Sequence, residues 1–360
     1  MLQIFRDWTK RYFSDPQMII LGLMLILGFA IVFLLGKILM PVFASVVIAY
    51  LLEGMVGYLQ RWKVPRMVAV VIVFLSFVAG MFVLIIWLFP LLSRQVSQLI
   101  QQLPNMLIDG QKQLMLLPEK YPDFISTAQI QQIYDAISSG MTSLARRLLS
   151  LSLASVMGIF SLIIYLILVP FLVFFFLKDK DKILEWVRTL LPDNLDLTTT
   201  VWFEVNKQIA NYIRGKGWEI LIIWGISYTV FKLMGMQFSL LLSFFVGLSV
   251  ILPYIGVTVM FLPVALIGYF QWGWGGDMAY ALIAYAGIQL FDGNILAPLL
   301  LSGVVNLHPV AIIISVLLFG GLWGVWGVFF AIPLATLVNT VIKNWLLRSE
   351  AGGEDKGDTC

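Results

Sequence analysis

The sequence is poor in the residues that most enzyme active sites and metal centres require. Its 360 residues include one histidine, His308, and one cysteine, Cys360. One cysteine forms no disulfide within the chain, and this inventory supports neither a zinc site nor Ser-His or Cys-His catalysis. The sequence also has no Walker loop, Rossmann fingerprint or nucleophile elbow. We therefore predict that the protein is not an enzyme and has no catalytic residues, no cofactor and no metal.

Charge is equally scarce. Only 12% of the residues are charged and 60% are hydrophobic, with a mean hydropathy of +0.94. Soluble domains are about 25% charged and about 45–50% apolar, so this chain has too little polar surface to cover itself in water. The net charge of +3 is too small to indicate a nucleic-acid partner. The composition predicts an integral membrane protein surrounded by lipids.

Long charge-free runs predict an all-α, polytopic fold. A spanning helix needs roughly 20 apolar residues, and we count about eight passes, including re-entrant or broken helices. Seven parts follow from the runs: an N-terminal helical hairpin (1–66), a transmembrane helix (67–93), a periplasmic amphipathic helical subdomain (94–147), a transmembrane helix (148–177), a cytoplasmic amphipathic insert (178–216), a C-terminal transport half with Gly/Pro-broken helices (217–347) and a disordered tail (348–360). The hairpin is expected to turn near Lys37 and Pro41.

The positions of lysine and arginine predict the orientation, because cytoplasmic loops carry an excess of these residues. The N-terminus, the link at 61–66, the insert at 178–216 and the C-terminal end are all basic. We therefore expect both termini in the cytoplasm. Residues 94–147, which carry five Lys and Arg, then lie in the periplasm. Their apolar residues recur at helical spacing, and helix breaks are expected at Pro104, Pro118 and Pro122.

The C-terminal half is apolar but frequently interrupted by glycine and proline. Short interrupted segments indicate broken helices, which survive at membrane depth where they line a cavity or are buried in protein. Residues 247–266 and 320–337 share an order of helix, glycine-bounded turn, apolar stretch and proline. This echo is either an internal repeat or a chance similarity between apolar segments.

Asp292 is the most informative single residue. A carboxylate deep in an apolar half is energetically expensive and usually functional. Gln289 and Asn294 lie within a turn of it, and Pro253 and Pro298 are the expected helix breaks beside it. We predict that these residues line a solute pathway in which Asp292 exchanges a proton or holds a cation. The alternative is a surface-loop aspartate, which the neighbouring Gly293 would also suit.

His308 allows two interpretations. A histidine can carry a proton in a transport step, and this would suit proton coupling. It also precedes Pro309, a favoured first residue of a helix. The sequence favours the second interpretation, in which His308 begins a helix and bonds to its backbone.

Five motifs in order carry a family resemblance that covers nearly the whole chain: NYIRGK (211–216), LPYIG (252–256), DGNILAP (292–298), NLHPV (306–310) and FGGLWGVWGVFFAIPLA (319–335). The sequence resembles the autoinducer-2 exporter family, in particular its permease branch. The resemblance implies a bacterial inner-membrane transporter of about eight helices and suggests a homo-oligomer, with a pentamer as the guess. The residues that match family-typical positions are carried over as candidates for the transport pathway: Arg214, Pro253, Asp292, Asn294, Pro298, His308 and Pro309.

Two functions remain open on the sequence alone. The first is secondary transport, in which the broken-helix half exports or exchanges a small polar solute, such as an autoinducer-2-like signal, with possible coupling to ions or protons. The second is a membrane scaffold whose helical inserts bind partners without transport. Dependence of solute flux on Asp292 distinguishes the two.

Overall fold

The computed structural model describes residues 16–120, 156–189, 196–301 and 307–354, with isolated helical positions between 128 and 143. These residues form helices and no strands. The helices are α1 (Pro16–Arg61), α2 (Arg66–Val83), α3 (Phe89–Lys120), α4 (Val156–Lys178), α5 (Lys180–Thr189), α6 (Asp196–Leu233), α7 (Ser239–Ser249), α8 (Ile255–Trp272), α9 (Gly276–Phe291), α10 (Ala297–Leu300), α11 (Pro309–Trp323) and α12 (Val325–Glu354). Two π-turns, Leu84–Leu88 and Asp292–Leu296, join α2 to α3 and α9 to α10.

The described helices confirm an all-α polytopic membrane protein. Four segments are long and apolar enough to cross a bilayer: Ile38–Arg61, Arg66–Lys112, Ile255–Trp272 and Gly276–Leu300. Four shorter apolar helices accompany them: Ile164–Lys178, Ser239–Ser249, Pro309–Trp323 and Val325–Thr340. Exposed leucine, isoleucine and phenylalanine side chains cover the outside of these helices, as expected for a surface that faces lipid.

The N-terminal hairpin prediction was wrong, because α1 is one helix of 46 residues. It passes through Pro41 without reversing. A proline removes one backbone hydrogen bond, but membrane helices tolerate it because neighbouring groups satisfy the freed backbone. Ser45 lies one turn later; its hydroxyl donates to the Pro41 carbonyl at 2.6 Å and to the Val169 carbonyl of α4 at 3.3 Å.

The predicted boundary at residue 94 is not a helix end. The α2–α3 helix continues through the π-turn to Lys120, so the first part of the predicted 94–147 subdomain extends a spanning helix. The expected breaks at Pro104 and Pro118 are absent, and Pro122 lies outside the described residues. Glutamine and leucine are good helix formers, and they carry the helix past these prolines.

The predicted boundary at residue 216 is also wrong. Helix α6 runs uninterrupted from Asp196 to Leu233. Its middle, including Tyr212 and Lys216, is buried. At the other end of the chain, α12 extends to Glu354, so residues 348–354 of the predicted disordered tail are helical, while 355–360 lie outside the described residues.

Helix α6 occupies the centre of the molecule. Its C-terminal half packs in one hydrophobic cluster with α7, α8 and α9. Its N-terminal half packs in another cluster with α11 and α12. A third cluster joins α1, α2 and α4. The two clusters on α6 meet near residues 212–223, and this junction positions the candidate site.

Candidate functional site: a buried charged centre

Asp292 lies inside the 25-residue span Gly276–Leu300, at the start of the π-turn between α9 and α10. In this turn the Ala297 N–H donates to the Asp292 carbonyl, five residues back. The predicted helix break at Pro298 is wrong by a few residues, because the helix continues to Leu300 and its irregularity precedes the proline. Asp292 is only 8% exposed. The alternative of a surface-loop aspartate is therefore excluded.

Two charged residues of α6 face Asp292. Lys216 is 4% exposed and Glu219 is 1% exposed. The Lys216 Nζ lies 3.0 Å from both carboxylate oxygens of Glu219. The Asp292 carboxyl group lies close enough to Glu219 and Lys216 to interact electrostatically with both. Because all three side chains are buried, water screens their interactions far less than it would at a surface.

The turn after α7 completes this charged centre. Lys216 Nζ donates a hydrogen bond to the Val250 carbonyl at 3.1 Å. Val250 is the C-cap of α7, where the last carbonyls of the helix lack intrahelical partners and the helix dipole favours a cation. Nearby, the Tyr285 hydroxyl of α9 donates to the Val257 carbonyl of α8 at 2.7 Å. The lysine thus connects the two acids to the end of a helix.

The charges of the centre do not balance if both acids are ionised. One ammonium and two carboxylates sum to −1, and burying an uncompensated charge costs several kcal/mol. Two carboxyl groups can form a hydrogen bond with each other only if one carries a proton. The Oδ1 atom of Asp292 is buried without a hydrogen-bond partner among the described residues. The arrangement is suited to hold one additional positive charge, as a proton or a small cation.

The structure places two other predicted residues near the centre. Gln289 lies one turn before Asp292 on α9, and its Nε2 is buried with no hydrogen-bond partner among the residues described. Pro253 lies in the turn that follows Val250. That these two residues line a solute pathway stays a prediction.

The remaining predicted residues lie elsewhere. Asn294 is exposed and its amide donates back to the Leu290 carbonyl of its own helix. Pro298 is exposed. Arg214 packs its side chain along Gly54 of α1. His308 is the N-cap of α11, and its Nδ1 accepts from the Val310 N–H at 3.3 Å, which confirms the helix-entry interpretation.

The sequence does not identify Lys216 and Glu219 as members of the site. Lys216 is the last residue of the predicted cytoplasmic insert, and Glu219 lies in the apolar half that is predicted to begin at residue 217. The available signal was a Lys and Glu pair at i, i+3 spacing directly before a long apolar run, where each charge is costly in lipid.

Both parts of the sequence echo form helical hairpins. Hairpin 1 is α7, the turn at 250–254 and α8; hairpin 2 is α11, Gly324 and α12. A Cβ added to Gly256 would lie 1.9 Å from the Ser249 carbonyl oxygen, and one added to Gly327 would lie 1.8 Å from that of Phe319. The second helix of each hairpin therefore packs its first-turn glycine directly on the backbone of the first helix.

The fold and the site together define a class of protein. Apolar spanning helices, broken hairpins and a buried ionisable centre are typical of membrane transporters.

Comparison with known proteins gives the particular family. The family model described as "AI-2E family transporter" matches residues 19–347, and the chain belongs to this family. "Putative permease PerM" of Escherichia coli (strain K12) is 42% identical over 345 residues, covering 96% of this chain and 98% of the relative. "Putative transport protein sll0063" of Synechocystis is 27% identical over 94% of this chain and 88% of that protein. "Putative transport protein YueF" of Bacillus subtilis is 23% identical over 84% of this chain and 83% of that protein.

Proposed function

We propose that this transporter is a secondary transporter that exports or exchanges a small polar solute, of the autoinducer-2 type, in a cycle coupled to a proton or small cation at Glu219 and Asp292. The observation that carries the proposal is the meeting of these two buried carboxyl groups with Lys216 inside an otherwise apolar structure. A membrane scaffold needs no such centre. Charged groups at membrane depth are costly, at about 2.5–3.5 kcal/mol for a residue such as aspartate at a helix centre.

The coupling step follows from the charge balance. With one proton shared by Glu219 and Asp292, the centre is neutral and stable in a low-dielectric environment. Without it, the centre carries one excess negative charge and attracts a proton or cation from whichever side of the membrane is open. Alternate exposure to the two sides would therefore couple ion movement to the conformation of the protein.

Solute recognition is assigned to the groups beside this centre. The Gln289 amide nitrogen and the Asp292 Oδ1 are both buried without a hydrogen-bond partner among the described residues. Such groups bind hydroxyl-rich, uncharged molecules through hydrogen bonds. This favours a small polar solute over an apolar one.

The matched test uses two aspartates of the same span. Asp292→Asn removes the buried charge and keeps the shape, whereas Asp277→Asn removes an exposed charge in the first turn of α9. In proteoliposomes loaded with a pH-sensitive dye, autoinducer-2 flux and its linked pH change should disappear with Asp292→Asn and persist with Asp277→Asn. Wild-type flux with an unchanged pH dependence in Asp292→Asn would contradict the proposal.

We also propose that the protein lies in the bacterial inner membrane, with the link at 61–66 and the C-terminus in the cytoplasm. The predicted cytoplasmic N-terminus depended on a hairpin, and helix α1, which does not reverse, instead separates residue 16 from Arg61 by its whole length. Two basic segments that the positive-inside rule assigns to the cytoplasm are neighbours in the fold. Arg66 and Lys180 both bind Glu53, at 3.2 and 3.0 Å. In a Cys360→Ser background, a cysteine at Gln111 should react with an impermeant thiol reagent in spheroplasts. Reaction only after lysis would reverse this orientation.

A homo-oligomer, with a pentamer as the guess, is the proposed assembly. Exposed apolar side chains run along α2 and the following π-turn, and a second copy or lipid can cover them. Native mass spectrometry from mild detergent should give a multiple of the chain mass. A monomer that persists after lipid is restored would rule the oligomer out.

A further inference from the structure

Helix α6 contacts both hairpins from successive turns. The Tyr212 hydroxyl donates to the Phe329 carbonyl of hairpin 2 at 3.2 Å, and four residues later the Lys216 ammonium donates to the Val250 carbonyl of hairpin 1. Both donors are almost fully buried. Each acceptor lies within five residues of the reversal of its hairpin. One helix therefore holds the tips of two hairpins through main-chain carbonyls.

The two donors differ in chemistry. A phenol bound to a carbonyl is neutral, and the single O–H of Tyr212 is donated to Phe329 and not to the acid pair. An ammonium has three N–H groups, and Lys216 shares them between the Val250 carbonyl and the Glu219 carboxylate. Any gain of negative charge at the acid pair competes with the carbonyl for the same ammonium. Only hairpin 1 is therefore sensitive to the charge state of the centre.

We propose that Lys216 is a positioning residue that latches the tip of hairpin 1 when the acid pair holds its extra positive charge and releases the tip when the pair loses it. This inference rests on the coupled transport proposed above and names the element that moves. When Asp292 loses its proton, the ammonium is drawn to the two carboxylates and its bond to Val250 weakens. Hairpin 2, held by Tyr212, stays in place.

The base of hairpin 1 is held separately, so that the tip can move as a unit about it. The Gln271 side chain near the end of α8 donates to the Gly235 carbonyl at 2.8 Å and accepts from the Gln237 N–H at 2.7 Å. From α3, Gln95 accepts from the Leu241 N–H at 2.8 Å. None of these bonds involves a titratable group.

The charged groups that face Lys216 are few. Glu219 lies on its own helix and Asp292 on the π-turn opposite. Helices α7, α8 and α10, which pack around this region, contain no charged residue. Helix α1 packs Leu51 against Gly217 of α6, and its Glu53 is paired with Arg66 and Lys180. Titratable tyrosines nearby are Tyr212 on α6 and Tyr285 on α9, and each donates to a backbone carbonyl. Changes in the charge of the centre therefore arise at the acid pair.

The test compares thiol labelling at two buried valines in a Cys360→Ser background. Val250→Cys reports the tip of hairpin 1 and leaves its carbonyl in place, and Val316→Cys reports hairpin 2; these valines are 8% and 4% exposed. The measured quantity is the labelling rate of Val250→Cys divided by that of Val316→Cys, both in detergent. Taking this ratio cancels the pH dependence of the thiol reaction itself. With Lys216 present, this ratio should rise as the pH is raised through the titration of the acid pair.

The charge-balanced variant Lys216→Met/Glu219→Gln removes the latch without leaving an extra unpaired acid. Its labelling ratio should not change with pH. The ratio should be about tenfold above the value measured at acidic pH with Lys216 and Glu219 present, as expected for the loss of a hydrogen bond to a charged group. Tyr212→Phe should leave Val250→Cys labelling unchanged. A pH-independent ratio in the wild type, or an equal rise at both cysteines, would overturn the latch.

The outcomes separate the latch from the transport function. Flux that requires Asp292, with a labelling ratio that never changes, keeps the transport function and rejects the latch. A labelling ratio that responds as described, in a protein without flux, keeps the latch and rejects the transport function.

Discussion

The two hairpins of the C-terminal half are built alike but are held differently. Each reverses at a residue with positive φ, Tyr254 (62°) in hairpin 1 and Gly324 (61°) in hairpin 2. Each packs a glycine of its second helix against a carbonyl of its first. Their attachments to α6 differ, because hairpin 1 is bound by the ammonium of Lys216 and hairpin 2 by the phenol of Tyr212.

This difference shows how two similarly built hairpins can have different roles. The glycine contacts make each tip a stiff, closely packed element, which suits movement as a rigid body. The donor on α6 then decides whether that element responds to charge. An ion-coupled step requires that one part of the protein senses the ion and another part remains fixed as a reference. The structure supplies a candidate for each.

The largest expected effect concerns the charged latch of hairpin 1. Lys216→Met leaves Glu219 and Asp292 buried without a cation, and removal of one partner of a buried ion pair costs about 3–5 kcal/mol. Adding Glu219→Gln should recover most of that loss, because only one ionisable acid then remains. Thermal unfolding in detergent measures both. Equal Tm values for the single and double variants would show that charge imbalance is not what destabilises the single variant.

The second prediction tests whether the tips of the two hairpins are equally closely packed. Gly256→Ala and Gly327→Ala each place a Cβ inside the van der Waals distance of a backbone oxygen. Overpacking of this kind costs about 1–3 kcal/mol, and the two losses should be similar. Gly321→Ala in α11 is the control, because nothing lies within 4 Å of its added Cβ. A Tm loss confined to one hairpin would break the structural equivalence of the two.

The sequence could predict the helical class and most segment ends of the C-terminal half, because glycine and proline mark them. The turn at 250–254 and the reversal at Gly324 were both anticipated as breaks. It could not predict the helices that run through Lys37, Arg94 and Lys216. At each of these three positions the charged residue predicts the end of an apolar span. The helix nevertheless continues through it.

The sequence could predict two residues of the candidate site but not the other two. Asp292 and Gln289 stand out because polar side chains inside an apolar run are costly. Lys216 and Glu219 belong to the same centre, but they pair with each other near the end of a polar stretch, and the sequence alone does not distinguish a buried ion pair from a solvated one. Only the packing of hairpin 1 against α6 shows that they are buried.

The third prediction concerns the neutral attachment of hairpin 2. Tyr212→Phe removes one hydroxyl and leaves the ring against Phe329, which it contacts edge-on. The lost hydrogen bond is worth about 1 kcal/mol, and the Phe329 carbonyl keeps its other acceptor capacity. Stability should therefore fall slightly while the pH profile of transport is unchanged. A shifted pH profile would show that hairpin 2 also senses charge and would remove the contrast between the hairpins.

The smallest effect is expected where the hairpins begin. Helix α11 of hairpin 2 starts with a side-chain cap from His308. The N-cap of α7 in hairpin 1 is Phe238, which has a left-handed backbone conformation and makes no side-chain cap. The His308 cap is long, at 3.3 Å, and exposed, so His308→Ala should cost less than about 1 kcal/mol. His308→Asn, which can accept the same N–H, should restore the Tm. Because His308 only caps α11, His308→Ala should not change the pH profile of transport. Asp292→Asn, in contrast, should abolish flux. A lost or shifted pH profile in His308→Ala would return the histidine to the proton pathway and extend the charge-sensitive region to hairpin 2.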